Sequence, residues 1–136
     1  MLAEIQVQKK NKLVYALDES YNIIACMPCS TDFYPGYNEY GQPRGNAENG
    51  VYRDANVWAQ AGRQEPAYGN GYINIDDRGR ALHGGGSNLE DPYEDFQPLL
   101  PTYGCFRLRN ADIEGLAKMF IHSCELGLKP CIHVVD

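Results

Sequence analysis

At 136 residues and 43% hydrophobic content, the chain can bury a core of its own, and one domain spanning residues 1–136 is expected. A formal charge of −6 without a strongly basic run argues against nucleic acid as a partner. No apolar run approaches the roughly 20 residues of a membrane span, so membrane insertion is not expected, and the polar start from Met1 to Lys12 lacks the apolar centre of a signal peptide.

That polar start leaves three expectations open: a cytosolic chain, export by another route, or a trimmed chain. Gly, Pro and Tyr are abundant, a mix that suits short strands joined by turns. Lys12 to Leu17 alternates as a strand does, Asp18 to Asn22 reads as a turn, and Ile23 to Pro28 as the returning strand of a hairpin. Phe33 to Gly71 is rich in Gly, Pro, Asn and Tyr with little periodicity. It is expected to be a long connection with short strands at Val51 to Arg53 and Val57 to Ala59. Its tyrosines either line a groove or pack an irregular segment. Gly71 to Ile75 and Arg80 to His83 read as strands around an Asp76–Gly79 turn. Gly84 to Ser87 breaks regular structure, Asn88 to Pro101 is an acidic, proline-containing loop, and Cys105 to Leu108 is short and extended.

One helix is well marked. Asn110 reads as its N-cap and Asp112 sits in its first turn, where the dipole favours negative charge. Ile113, Leu116, Ala117, Phe120, Ile121 and Cys124 follow at helical spacing as one apolar face. Gly127 suits the position after the helix, Pro130 bars its continuation, and Cys131 to Val135 closes the chain as a strand. The reading is mainly β with one prominent helix.

Five cysteines leave at least one outside any intramolecular disulfide scheme. Cys26 and Cys29 form a C-x-x-C pair inside an apparent strand, without the following helix of a redox motif. Core packing or a disulfide is expected there. A zinc site using Cys124 and Cys131 as well is disfavoured by the wide second spacing.

Thiol catalysis needs a cysteine beside a base. Of the three histidines, His122 and His133 read as structural or surface residues. His83 ends a strand and precedes three glycines, which let backbone approach closely and leave room around the imidazole. Cys105 follows Gly104, which permits a sharp turn whose backbone N–H groups can stabilise an oxyanion. Arg107 projects to the same side of the extended segment and would lower the thiol pKa or hold an anion. Arg78, Arg80, Arg107 and Arg109 cluster near these motifs, as a positive cleft for a carboxylate or as scattered solvated surface.

Leu82-His83-Gly84, followed after a spacer by Thr102-Tyr103-Gly104-Cys105-Phe106-Arg107-Leu108, resembles the signature of the YkuD-type L,D-transpeptidase family. Leu13 to Thr31, Pro43-Arg44-Gly45, Gly50-Val51-Tyr52, and Tyr68-Gly69 through Ile75 resemble further family segments, and the likeness is specific from about Tyr72 to Phe120. The family usually carries His where this chain has Tyr103, and the spacer holding Leu89 to Asp95 is long, which puts the lid over the site in question. The resemblance implies a β-sandwich or barrel-like domain with a helix beside the site. It implies Cys105 as nucleophile, His83 as base and then acid, and the Gly84 carbonyl as orienter of the imidazole. It also implies backbone N–H groups of Tyr103, Gly104 and Cys105 as oxyanion donors, Arg107 as a shaper of the site or carboxylate ligand, and Thr102 as support for the loop.

The implied substrate is a peptidoglycan stem peptide, and the implied site of action is the periplasm or cell wall. No metal or cofactor is required, because thiol and imidazole suffice. Cross-linking, D-amino-acid exchange and L,D-carboxypeptidase activity differ only in the acceptor, and the latter two also fit a secreted antibacterial effector. The rival from another class is a non-catalytic wall-binding module whose tyrosine-rich loop is the platform. Oligomeric state is left open.

Overall fold

In a computed structural model, residues 1–58 and 65–136 are described; the Ala59 end of the expected second short strand lies outside them. Among the described residues, nine strands form one sheet in the order β4-β9-β1-β2-β3-β8-β7-β6-β5. One arm of the sheet is built from β1 (Leu2–Gln8), β2 (Leu13–Asp18), β3 (Ile23–Ser30), β4 (Gly50–Tyr52) and β9 (Cys131–Val135). The other holds β5 (Asn56–Trp58), β6 (Tyr72–Asn74), β7 (Ala81–His83) and β8 (Phe106–Leu108). β3 is the corner between them. It pairs with β2 from Ile23 to Pro28 and with β8 at Cys29 and Ser30.

The expected hairpin is β2–β3, and its turn is closed by the Asp18 side chain, which accepts from the N–H groups of Ser20 and Asn22 at 2.9 Å each. A strand the sequence did not announce is β1. Leu2, Ile5 and Val7 are buried in it, but a bulge between Leu2 and Glu4 interrupts the two-residue alternation that would have marked it. β1 lies between β2, antiparallel, and β9, parallel.

α1 (Asn110–Glu125) touches β1 as well as β5, β6 and β7. β1 and β5 are six positions apart in the sheet, roughly 29 Å at about 4.8 Å per strand. A helix about 10 Å across can meet both only if the sheet curls round it. The enclosed core is contributed from all sides: Ile5, Val14, Ile73, Leu82, Phe106, Ile113, Leu116 and Ile132 are all buried in it.

Two helix expectations need correction. The N-cap is Arg109, which makes no side-chain cap bond, because the Asn110 amide is committed elsewhere, as described below. The buried face carries Ile113, Leu116, Ala117, Phe120 and Ser123, while Cys124 is exposed. Gly127 does terminate the helix. At φ +90° it donates to Cys124 O at 3.0 Å while Leu128 donates to Ser123 O at 2.9 Å, the paired bonds of a Schellman ending.

All five cysteines are free thiols, so of the two alternatives for Cys26 and Cys29 the disulfide is not formed. Cys29 packs in the core, where burial pushes its thiol up to about 12. Among the described residues no group of three or more His, Cys, Asp or Glu is placed to hold a metal, and no helix is long and apolar enough to cross a membrane.

Candidate functional site

β7 and β8 run parallel and side by side, with Leu82 opposite Phe106 and His83 opposite Arg107. Alternation sends Leu82, Phe106 and Leu108 into the core. The other face then carries His83 on one strand and Arg107 on its neighbour, with Cys105 one pleat before Arg107. Cys105 and His83 are therefore diagonal neighbours on one face, and both line a cleft of about 550 Å³. Thr102, Tyr103 and Arg107 line it too.

His83 is 3% exposed. Its Nδ1 lies 2.7 Å from the carbonyl oxygen of Gly84, so Nδ1 carries the proton and Nε2 is the open, basic nitrogen. Tyr68 meets the imidazole edge-on at 5.2 Å, and the Tyr72 ring, across the β6–β7 pairing, stacks on it at 6.4 Å. Burial lowers the imidazole pKa to about 4, the Gly84 carbonyl opposes that shift, and the Arg107 charge adds to it. The ring is neutral at pH 7.

Burial likewise raises the Cys105 thiol. A backbone hydrogen bond from Ala81 and the charge of Arg107 pull the other way, as expected of Arg107, but burial prevails. The resting site therefore pairs a neutral thiol with a neutral imidazole. Cys105 Sγ lies 3.9 Å from Gly79 O, and among the described residues it makes no hydrogen bond to His83.

The turn before Cys105 is held by Thr102, whose hydroxyl donates to Cys105 O at 2.8 Å and accepts from Gly104 N at 3.0 Å. No partner is seen for the N–H groups of Tyr103 and Cys105 among the described residues, whereas that of Gly104 bonds the Thr102 hydroxyl. Gly104 itself sits at φ +126°, and a Cβ there would be 2.5 Å from Gly45 O. Only glycine lets the 43–45 segment close against the turn.

The glycines after His83 make room for protein. A Cβ on Gly84 would strike Asn110 Oδ1, and one on Gly85 would strike the backbone of Pro66 and Gly69. Asn110 Oδ1 accepts from Gly85 N at 3.1 Å and Asn70 N at 3.2 Å, and its Nδ2 donates to Pro92 O and Glu94 O. Gln97, which nothing in the sequence singled out, accepts from Asn110 N and donates to Leu108 O at 2.9 Å from a buried position. These two amides pin the acidic 92–97 stretch to the start of α1. Of the connection between Gly84 and Cys105, Gly86 to Asn88 and Leu100 to Tyr103 border the cleft.

The expected arginine cluster is divided. Arg109 pairs with Asp112 at 2.8 Å and lies over Phe96, away from the cleft lining. Arg80 is buried between Asp76 and Glu48, both at 2.6 Å, and Arg78 pairs with Glu48 at 3.1 Å. Arg107 donates to Leu100 O and Pro101 O at 3.0 Å each, and its buried Nε has no partner among the described residues. His122 is exposed on α1, and His133 faces Glu4 at 3.7 Å. Neither lines the cleft.

No protein-family model matches the chain, and a search of curated proteins finds no match in sequence. Solved structures do match its fold. A Cys-to-Ser variant of an Enterococcus faecium L,D-transpeptidase is similar over 99% of the chain and 50% of its own, at 14% identity and a TM-score of 0.63. An L,D-transpeptidase from Stackebrandtia nassauensis matches over 100% and 56%, at 15% identity and a TM-score of 0.59. One from Xylanimonas cellulosilytica matches over 97% and 59%, at 13% identity and a TM-score of 0.58. The chain thus spans between half and three-fifths of these three proteins. At such identities the likeness is one of fold: mainly β, a curled sheet and one helix, as L,D-transpeptidase catalytic domains have.

Proposed function

We propose that the chain is a cysteine acyltransferase of the L,D-transpeptidase type, acting on peptidoglycan stem peptides at the cell wall. The observation that carries the reading is the shared face of β7 and β8. It presents Cys105 and an imidazole whose Nδ1 is held by Gly84 O, with Nε2 open to the same cleft. The fold neighbours are enzymes of that class.

Cys105 Sγ attacks the carbonyl carbon of the L-residue that precedes a D-residue. His83 Nε2 takes the thiol proton as the C–S bond forms, and the oxyanion is met by the open N–H groups of Tyr103 and Cys105. His83 returns that proton to the leaving amine as the C–N bond breaks, which leaves a thioester. An incoming amine or water then attacks the thioester, gives a proton to His83, and restores the Cys105 thiol. An amine of a second stem gives a cross-link, a free D-amino acid gives exchange, and water gives L,D-carboxypeptidase activity. The low imidazole pKa keeps the base in its working form at neutral pH, and the neutral thiol is activated as the base removes its proton rather than as a standing thiolate.

A carbapenem acylates such a cysteine, so the intact protein should gain one adduct mass, and Cys105→Ala and His83→Ala should gain none. A free but unreactive Cys105 thiol, together with no turnover of a tetrapeptide stem, would instead support a non-catalytic wall-binding module. At rest Cys105 Sγ contacts Gly79 O at 3.9 Å and makes no hydrogen bond to His83 among the described residues, which is the observation in favour of that second reading.

A further inference from the structure

Nothing intrinsic to the chain fixes how the peptide plane between Gly84 and Gly85 is turned. Glycine stands on both sides of it, Gly85 at φ +72°, and a plane between two glycines rotates with little steric resistance. Yet this plane decides the state of His83. Its carbonyl, Gly84 O, lies 2.7 Å from Nδ1 and keeps the proton there. Turned over, the same plane would aim the Gly85 N–H toward the imidazole in place of the carbonyl. Nδ1 would then have to accept, the proton would move to Nε2, and the nitrogen open to the cleft would cease to be basic.

Asn110 holds that plane by its other edge. Its Oδ1 accepts from Gly85 N at 3.1 Å, so the N–H is fixed pointing away from the imidazole and the carbonyl, trans to it, points at Nδ1. In the turned-over plane Gly84 O would face Asn110 Oδ1, oxygen against oxygen. The amide cannot reverse to relieve that clash. Its Nδ2 donates to Pro92 O at 2.7 Å and to Glu94 O at 2.8 Å, while Oδ1 also accepts from Asn70 N at 3.2 Å. A reversed amide would set its donors against two N–H groups and its acceptor against two carbonyls. The side chain is fully buried, in a slot that Gly69 and Gly84 keep clear, since a Cβ on either would strike its Oδ1. Neither Asn110 nor Pro92 and Glu94 line the cleft, so the plane is held from behind the site.

We propose that Asn110 is the positioning residue of His83: it grips the Gly84–Gly85 peptide and so sets which imidazole nitrogen carries the proton. The Pro92 and Glu94 carbonyls set the amide in turn, which gives the acidic stretch after the glycines a part in orienting the base. The consequence for the reaction rests on the acyl-transfer reading above; the effect on the ring rests on the hydrogen bonds alone.

The ring itself gives the first readout. Two-bond proton–nitrogen correlation spectra at pH 7 distinguish a protonated from an unprotonated ring nitrogen, and the His83 signals are those missing from a His83→Asn chain. The native chain should show Nδ1–H alone. Asn110→Ala and Asn110→Leu, with folding checked by near-UV circular dichroism, should show Nε2–H or a mixture, because neither side chain accepts from Gly85. Asn110→Asp keeps an acceptor there and should keep Nδ1–H. Carbapenem adduct formation at Cys105 should slow by roughly 10- to 100-fold in the Ala and Leu chains. A merely structural Asn110 would lower the urea midpoint and leave the tautomer as it was. Nε2–H in the native chain, Nδ1–H alone in a folded Ala or Leu chain, or loss of Nδ1–H in the Asp chain overturns the assignment. Where the Ala and Leu chains do not fold, the native and Asp chains decide it. The tautomer is read without substrate, so a native chain with Nδ1–H that takes no adduct counts against acyl transfer and leaves the positioning role standing.

Discussion

His83 carries a cost as well as its proposed chemical role. Its imidazole is buried against Tyr68 and Tyr72, and the folded chain resists protonating it until about pH 4, whereas an unfolded chain takes the proton near 6.5. The unfolded state therefore binds more protons between those values. Stability should be complete above about pH 6.5 and fall as pH drops toward 4, by up to roughly 3 kcal/mol. Urea midpoints measured across that range should show the slope, and a His83→Asn chain should lack it. Glu48 titrates lower. Its hydrogen bonds to Arg80 hold the carboxyl at about 2, so what it contributes is present above its ordinary value near 4.5 and lost as pH falls through about 2. The two groups thus act in successive windows.

At the scale of the element, α1 shows how a helix is ended by one residue. Gly127 lies at φ +90° with nothing within 4 Å of where a Cβ would stand. Gly127→Ala should therefore cost only the backbone conformation, about 1 kcal/mol, read as a lower urea midpoint with an unchanged m-value. The start of the same helix is handled differently. Asn110 gives its amide to Gly85, Asn70, Pro92 and Glu94, and Arg109 is left as an N-cap without a side-chain cap bond. The element gives up a cap, and the 84–86 segment beside His83 gains an anchor.

Across the whole molecule, the ends of the chain meet. β9 lies between β4 and β1 and supplies Ile132 and Val134 to the core. Removing residues 131–136 would expose the β1 edge and uncover that core at once. Such a truncated chain should lose its cooperative urea transition and near-UV circular dichroism, even though Cys105 and His83 lie on the far arm. The curl of the sheet about α1 is the reason, since both arms share one apolar interior.

How much of this could be read in advance depended on the range of the forces involved. The hairpin, the strands at His83 and Phe106, the body of α1 and its Gly127 ending follow from alternation, spacing and backbone preference, all acting within a few residues. The resemblance around Leu82-His83-Gly84 and Thr102 to Leu108 was likewise visible in the residues, and it implied a supporting Thr102, whose hydroxyl bonds Cys105 O and Gly104 N. β1 was hidden because its bulge shifts the alternation, and its partners lie on either side of it at opposite ends of the chain. Asn110 looked like a cap because local chemistry favours that use; its long-range partners are visible only once residues 70, 85, 92 and 94 converge. The arginines read either as a positive cleft or as scattered surface; the fold delivers Asp76 and Glu48 to two of them, carries Arg109 elsewhere, and brings in Arg44 from the tyrosine-rich connection. Local sequence put Cys105 and His83 forward as candidates for thiol chemistry and marked most of the strands. Tertiary structure alone decided which charges stay uncompensated, because burial and counter-ions are set by segments far apart in the chain.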